Sequence, residues 1–195
     1  RSFLKARGKG TGVLFVGYSH KEQLDFRKRF HAELWGKFLC DMGNYPDVVY
    51  AVLELLYHLH IAAQPPRRTA IIGRSRNAKA MGEVLTVLGH TVTIVHTETV
   101  DMDSVLQDAE LIISFAGCPN LIKSDMVKDG ATVISVGCGT VDGKLCGDID
   151  MESLADRDVS VTPTPNGIGP VCTAVMLRDL AAWEPKEERR CTRNW

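Results

Sequence analysis

The chain has 195 residues, 45% hydrophobic and 24% charged, with a net charge of -1. That balance suits one or two globular domains with a real core and excludes a disordered chain. The near-neutral charge gives no case for bulk nucleic-acid binding, and no apolar run approaches the roughly 20 residues that insertion across a membrane requires.

The first ten residues are basic and carry no acid. With Arg1 in first place, this is the pattern expected of the remains of an organellar presequence, which points to the mitochondrion. Residues 11–17 read as a short apolar strand ended by Gly17. Residues 21–40 read as a helix carrying Leu24, Phe30, Leu34, Phe38 and Leu39 around the basic run Arg27-Lys28-Arg29. Asn44-Tyr45-Pro46-Asp47 reads as a helix start, with a polar cap, proline in the first turn and an early acid. That helix continues through Val48, Val49, Val52, Leu53, Leu56 and Leu59 and stops before Gln64-Pro65-Pro66, a linker.

Residues 69–99 organise the chain. A short apolar run ends at Gly73, a helical pattern runs to Gly89, and a β-branched strand follows at 91–95. This is one β-α-β unit, whose helix N-terminus offers N–H groups and a positive dipole end to a phosphate. A dinucleotide loop favours small residues where backbone meets pyrophosphate. Here Gly73 is followed by Arg74, Ser75, Arg76, Asn77, Ala78 and Lys79, with no second or third glycine. Arg74, Arg76 and Lys79 read either as phosphate contacts or as solvated surface charges. Glu98 stands just past the second strand, where an acid accepts from a ribose 2′-hydroxyl and repels a 2′-phosphate. If a cofactor binds, NAD is favoured over NADP.

The alternation continues with a helix at 102–107, a strand at 110–115, a helix at 124–128 and a strand at 131–136. Near-continuous apolar strands between helices predict an α/β, Rossmann-like parallel sheet flanked by helices. Ligands of such sheets sit beyond the strand C-termini. Those ends are Gly73, Glu98, Ala116-Gly117, Gly137-Cys138-Gly139 and Pro163-Thr164-Pro165. Their glycines allow close approach to a ligand or simply make tight turns. Pro170 opens an apolar helix running to Trp183, and residues 184–195 form a charged tail outside the core.

The six cysteines form no C-x-x-C pair and sit at no zinc-ligand spacing from a histidine. They read as buried free thiols, and no metal is assigned. His31 has no neighbouring serine or cysteine to activate and reads as a structural or partner contact. His96 reads as a cap or a crevice-lining residue. Cys172, at a helix start, reads as an inert packed thiol, the alternative being a depressed pKa.

Gly73-Arg74-Ser75, Ala116-Gly117-Cys118-Pro119, Val136-Gly137, Gly147-Asp148-Ile149-Asp150 and the run from Pro163 through Asn166, Gly167 and Gly169 to Pro170 follow one another in a familiar order. Taken with Phe30-His31 and Gly36-Lys37, this set resembles the bifunctional methylenetetrahydrofolate dehydrogenase/cyclohydrolase family over roughly residues 13–183. The resemblance implies dinucleotide contacts at Gly73, Arg74, Ser75, Glu98, Ala116, Gly117, Gly137 and Gly167. It also implies a division into a remnant of the folate-binding domain with the interdomain helix (1–64), a Rossmann-like domain (65–183) and the tail (184–195).

The departures from the family pattern bear on chemistry. The family's Tyr-x-x-x-Lys pair falls on Asp25 and Arg29, and arginine cannot shuttle a proton as a tuned lysine can. Its Gln-Leu-Pro-Leu-Pro segment is absent, and Lys28-Arg29 precedes Phe30 where the family has an acid. Lys79 and Met81 replace a glycine and a proline of the nucleotide loop, and are expected to fill it. Ser135 replaces an aspartate, and Asn166 a glycine. The expectation is therefore a retained fold with lost chemistry: a degenerate member serving as a structural subunit among other proteins, with the crevice empty or weakly occupied. The alternative is an active NAD-dependent methylenetetrahydrofolate dehydrogenase completed by another chain.

Overall fold

The computed structural model describes residues 45–59 and 67–181. In chain order its elements are α1 (Asp47–His58), β1 (Arg68–Ile72), α2 (Arg76–Val87), β2 (Thr91–Val95), α3 (Met102–Asp108) and β3 (Leu111–Ser114). A 3-10 turn (Ser124–Met126) follows, then β4 (Thr132–Ser135), β5 (Cys138–Val141), β6 (Lys144–Gly147), β7 (Ser160–Val161) and α4 (Ile168–Ala181).

Five strands pair in parallel in the order β2-β1-β3-β4-β7, while β5 and β6 form a separate antiparallel hairpin. The chain leaves β1 toward β2, then returns through α3 to β3 on the other side of β1. That reversal opens a crevice at the C-terminal ends of β1 and β3. Period-two alternation sends strand residues to two apolar layers. Ile71, Ile113 and Ile134 pack with Val49, Val52, Met81, Leu85 and Ile168 beneath α1, α2 and α4. Ala70, Ile72, Ile112 and Val133 pack with Leu106, Ile122, Leu154 and Val161 on the other face. Burying each such leucine or isoleucine contributes about 1.5–3 kcal/mol, so both faces hold the sheet. The parallel α/β reading of the sequence is what the structure shows.

Several local expectations change. The stretch at 124–128 is a single 3-10 turn, because Val127 is already extended and Gly130 takes a positive φ of 78°. The last helix begins at Ile168, which puts Pro170 in its first turn, where a missing N–H leaves no bond unmade. The β5–β6 hairpin was not foreseen, and the strand ending before Pro163 is only the two-residue β7. The strand at 11–17, the helix at 21–40, the linker at 64–66 and the tail at 184–195 lie outside the described residues, as do Asp25, Arg29 and His31. Among the described residues no helix is long and apolar enough to cross a membrane.

Candidate functional site

At the tip of β1, Gly73 has φ +125°, and an added Cβ would lie 3.3 Å from the Phe115 carbonyl oxygen. The position therefore needs glycine both for its dihedral and for the approach of β3. Ser75 is extended and caps α2, its Oγ accepting from the Ala78 N–H at 3.2 Å. Arg74, Ser75 and Arg76 are exposed around the helix start, where first-turn N–H groups face outward. Arg74 Nη1 meets Glu98 Oε2 at 3.4 Å across the tips of β1 and β2. Glu98 is placed by a tight turn. Its N–H donates to His96 Nδ1 at 3.2 Å, while the His96 N–H donates to Thr99 Oγ1 at 2.9 Å. His96 thus caps the turn that presents Glu98.

At the tips of β3 and β4, Ala116 and Gly117 are exposed, with Gly117 at φ +66°. Beneath them Asp148 is fully buried. Its Oδ2 accepts from Ser114 Oγ at 2.6 Å and from the Ala116 N–H at 3.1 Å. Ser135 Oγ accepts from the Asp148 N–H at 2.9 Å and donates to the Gly137 carbonyl at 3.0 Å. A Cβ on Gly137 would collide with Asp148 Oδ2 and the Gly117 nitrogen, so glycine is required there. Asp148 is the residue that sequence reasoning missed as part of the site. Its Gly147-Asp148 motif was visible, but its burial under the loop was not.

The site residues fall in two clusters joined across the crevice: Gly73, Arg74, Ser75 and Glu98 on one side, and Ala116, Gly117 and Gly137 on the other. Gly167 lies apart, before α4 and against the Pro163 carbonyl. Two substituted positions behave differently from each other. Lys79 is exposed on α2 and its N–H makes an ordinary helical bond to Ser75, while Met81 is buried in the core beneath the helix. Met81 therefore does not fill the nucleotide turn, because the helical phase sends its side chain into the core, whereas the Lys79 side chain stays exposed near the start of α2. Asn166 takes φ +74°, a left-handed conformation that asparagine tolerates better than most residues.

The thiols also depart from expectation. Cys118, on the loop after β3, and Cys138, at the start of β5, are exposed, and Cys146 and Cys172 are half-buried, all four free. Burial, reinforced by Asp47, pushes the Cys172 thiol up, which makes it inert rather than activated. Among the described residues no group of histidine, cysteine and acid side chains could hold a metal ion. A recess of about 250 Å³, lined by Asn120, Cys146, Gly147, Thr162 and Thr164 among others, adjoins the hairpin beside Asp148.

The arrangement fits a dinucleotide. The Gly73 cradle and the start of α2 suit a pyrophosphate, Glu98 suits a ribose hydroxyl, and the exposed Ala116-Gly117 backbone lies where the second nucleoside would rest. Fold and site together define a Rossmann-type dinucleotide-binding domain. Residues 46–187 match the family described as tetrahydrofolate dehydrogenase/cyclohydrolase, NAD(P)-binding domain, and the chain belongs to that family.

Its relatives include the bifunctional protein FolD of Campylobacter concisus (strain 13826). That protein is 33% identical over 174 residues, covering 87% of this chain and 59% of the relative. The Campylobacter curvus (strain 525.92) bifunctional protein FolD is 36% identical over 153 residues, covering 76% and 52%. Among solved structures, the FolD methylenetetrahydrofolate dehydrogenase/cyclohydrolase of Campylobacter jejuni superposes with a TM-score of 0.68 at 35% identity, covering 73% of this chain and 51% of that one. The Trypanosoma brucei enzyme, complexed with NADP cofactor and inhibitor, gives 0.63 at 28% identity, covering 70% and 49%. The chain spans about half the length of the relatives it matches.

Proposed function

We propose that this chain binds a nicotinamide dinucleotide in the crevice, NAD in preference to NADP, without itself performing the proton chemistry on the folate. The observation that carries this reading is Glu98. Its carboxylate stands at the tip of β2, where a ribose 2′-hydroxyl would be received, and its partner Arg74 is an exposed side chain free to yield to the ribose. A 2′-phosphate there would meet a like charge. When bound, the nicotinamide supplies hydride acceptance, and the chain's own residues bind and orient it.

For the folate step the support is in the sequence, where Arg29 stands in place of the family's lysine. On this reading the protein is a degenerate member that works among other protein subunits. A second reading, an active NAD-dependent methylenetetrahydrofolate dehydrogenase completed by another chain, is favoured by the bifunctional activity named for the relatives.

Titration with NADH, paired with an assay of methylenetetrahydrofolate-dependent NAD reduction, separates the two. Binding without turnover is the expected result. Turnover, alone or with copurifying proteins present, supports the second reading, and absence of binding overturns the first.

A further inference from the structure

We propose that Asp148 is the positioning residue for the nicotinamide half of the bound dinucleotide. The inference rests on the dinucleotide reading above and deepens it by naming what holds the second half of the crevice in shape.

The backbone around Asp148 is fixed on several sides. The Gly147 carbonyl accepts from the Asn120 N–H at 3.1 Å, the Asp148 carbonyl accepts from the Ile122 N–H at 2.8 Å, and the Asp148 N–H donates to Ser135 Oγ. The carboxylate is therefore anchored before it reaches the crevice floor. There, Oδ2 draws the Ala116 N–H inward. In a trans peptide the carbonyl points opposite to the N–H. Holding the Ala116 N–H inward thus turns the Phe115 carbonyl the other way, toward Gly73, where an added Cβ would come within 3.3 Å of it. Ser114 Oγ, itself held by Asp148, lies 3.4 Å from the same N–H, so the carboxylate oxygen and the serine it anchors together set the peptide plane that joins the β3 tip to the β1 tip at the point where strand order reverses.

Glu98 and β2 lie on the adenosine side of that reversal, and Ala116, Gly117 and Gly137 lie on the nicotinamide side. Asp148 Oδ1 is buried with no hydrogen-bond partner among the described residues. A carboxylate kept inside with one oxygen unpaired costs stability that an apolar residue would not cost, and departures of that kind concentrate at functional positions.

Calorimetric titration with NADH and with AMP, on the full chain and on Asp148→Ala and Asp148→Asn, tests the proposal. Asp148→Ala should weaken NADH by about tenfold while leaving AMP within about twofold, since only the nicotinamide side loses its anchor. Asp148→Asn should lower the melting temperature, because its NH2 lands where Oδ1 has no partner. It should nevertheless keep NADH affinity, since its oxygen still accepts from Ala116. A merely structural role would move melting temperature and both ligands together in both variants, and that result overturns the proposal. So does NADH binding to Asp148→Ala as tight as to the unmodified chain. Should Asp148→Ala fail to fold, Ser114→Ala frees the carboxylate to turn from Ala116 and carries the same split. NADH affinity equal to that of the unmodified chain would then overturn the proposal. An unmodified chain that binds AMP and NADH equally also removes the nicotinamide anchor, whereas one that binds neither removes the dinucleotide reading and this proposal with it.

Discussion

The guanidinium of Arg74 meets the carboxylate of Glu98 at 3.4 Å and ties the tip of β1 to the tip of β2. The side chains are 59% and 74% exposed, so the pair contributes only about 0–1 kcal/mol and can open when a ribose arrives. Its value to the site is placement, since it holds a negative charge where the 2′ position of the adenosine ribose would lie. Glu98→Gln should therefore raise NADP affinity relative to NAD by roughly tenfold, and the unmodified preference should narrow as salt screens the repulsion. Competitive titration at low and high ionic strength reads both effects.

Lys79 stands where the family pattern has glycine, and its side chain is exposed on α2. Lys79→Gly should leave NAD affinity within about twofold while lowering stability by about 1 kcal/mol, the cost of glycine inside a helix. Denaturant unfolding gives the second quantity. A marked gain in NAD affinity would restore the expectation that lysine obstructs the loop.

His90 gives a pH dependence. It is buried, with Nδ1 3.1 Å from Thr69 Oγ1, and its pKa is held below the ordinary 6.5, chiefly by burial and secondarily by Arg67. The unfolded chain then binds more protons in that window, so stability rises with pH. The contribution is complete above about 6.5 and is lost as pH falls through the lowered folded value. Thermal unfolding between about pH 7.5 and about pH 5, in unmodified protein and in His90→Gln, should show a shallower decline in the variant. Identical slopes would contradict the assignment.

The parallel sheet was legible in the sequence because β3 and β4 are buried on every residue and read as unbroken apolar runs. The β5–β6 hairpin was not, since its strands are mostly exposed and alternate weakly. Its signal was the pair Asp142-Gly143, both at positive φ, which is the turn chemistry of a two-residue hairpin loop. The positions of Gly73, Ser75 and Glu98 beside strand ends were readable from the sequence. Met81 was misread as a loop obstacle because a residue-by-residue match to a motif carries no helical phase, and the phase sends that side chain into the core. Asp148 was hidden for a different reason. Its partners Ser114 and Ala116 lie 34 and 32 residues away, and only folding brings them together.

The central claim is a retained crevice that takes NAD and discriminates against NADP. Side-by-side calorimetric titration of the unmodified chain with NADH and NADPH tests it most directly. The account predicts saturable NADH binding below millimolar concentration, with NADPH weaker by roughly tenfold from the Glu98 charge. NADPH binding as tight as NADH or tighter, or no binding of either at millimolar concentration, would contradict it.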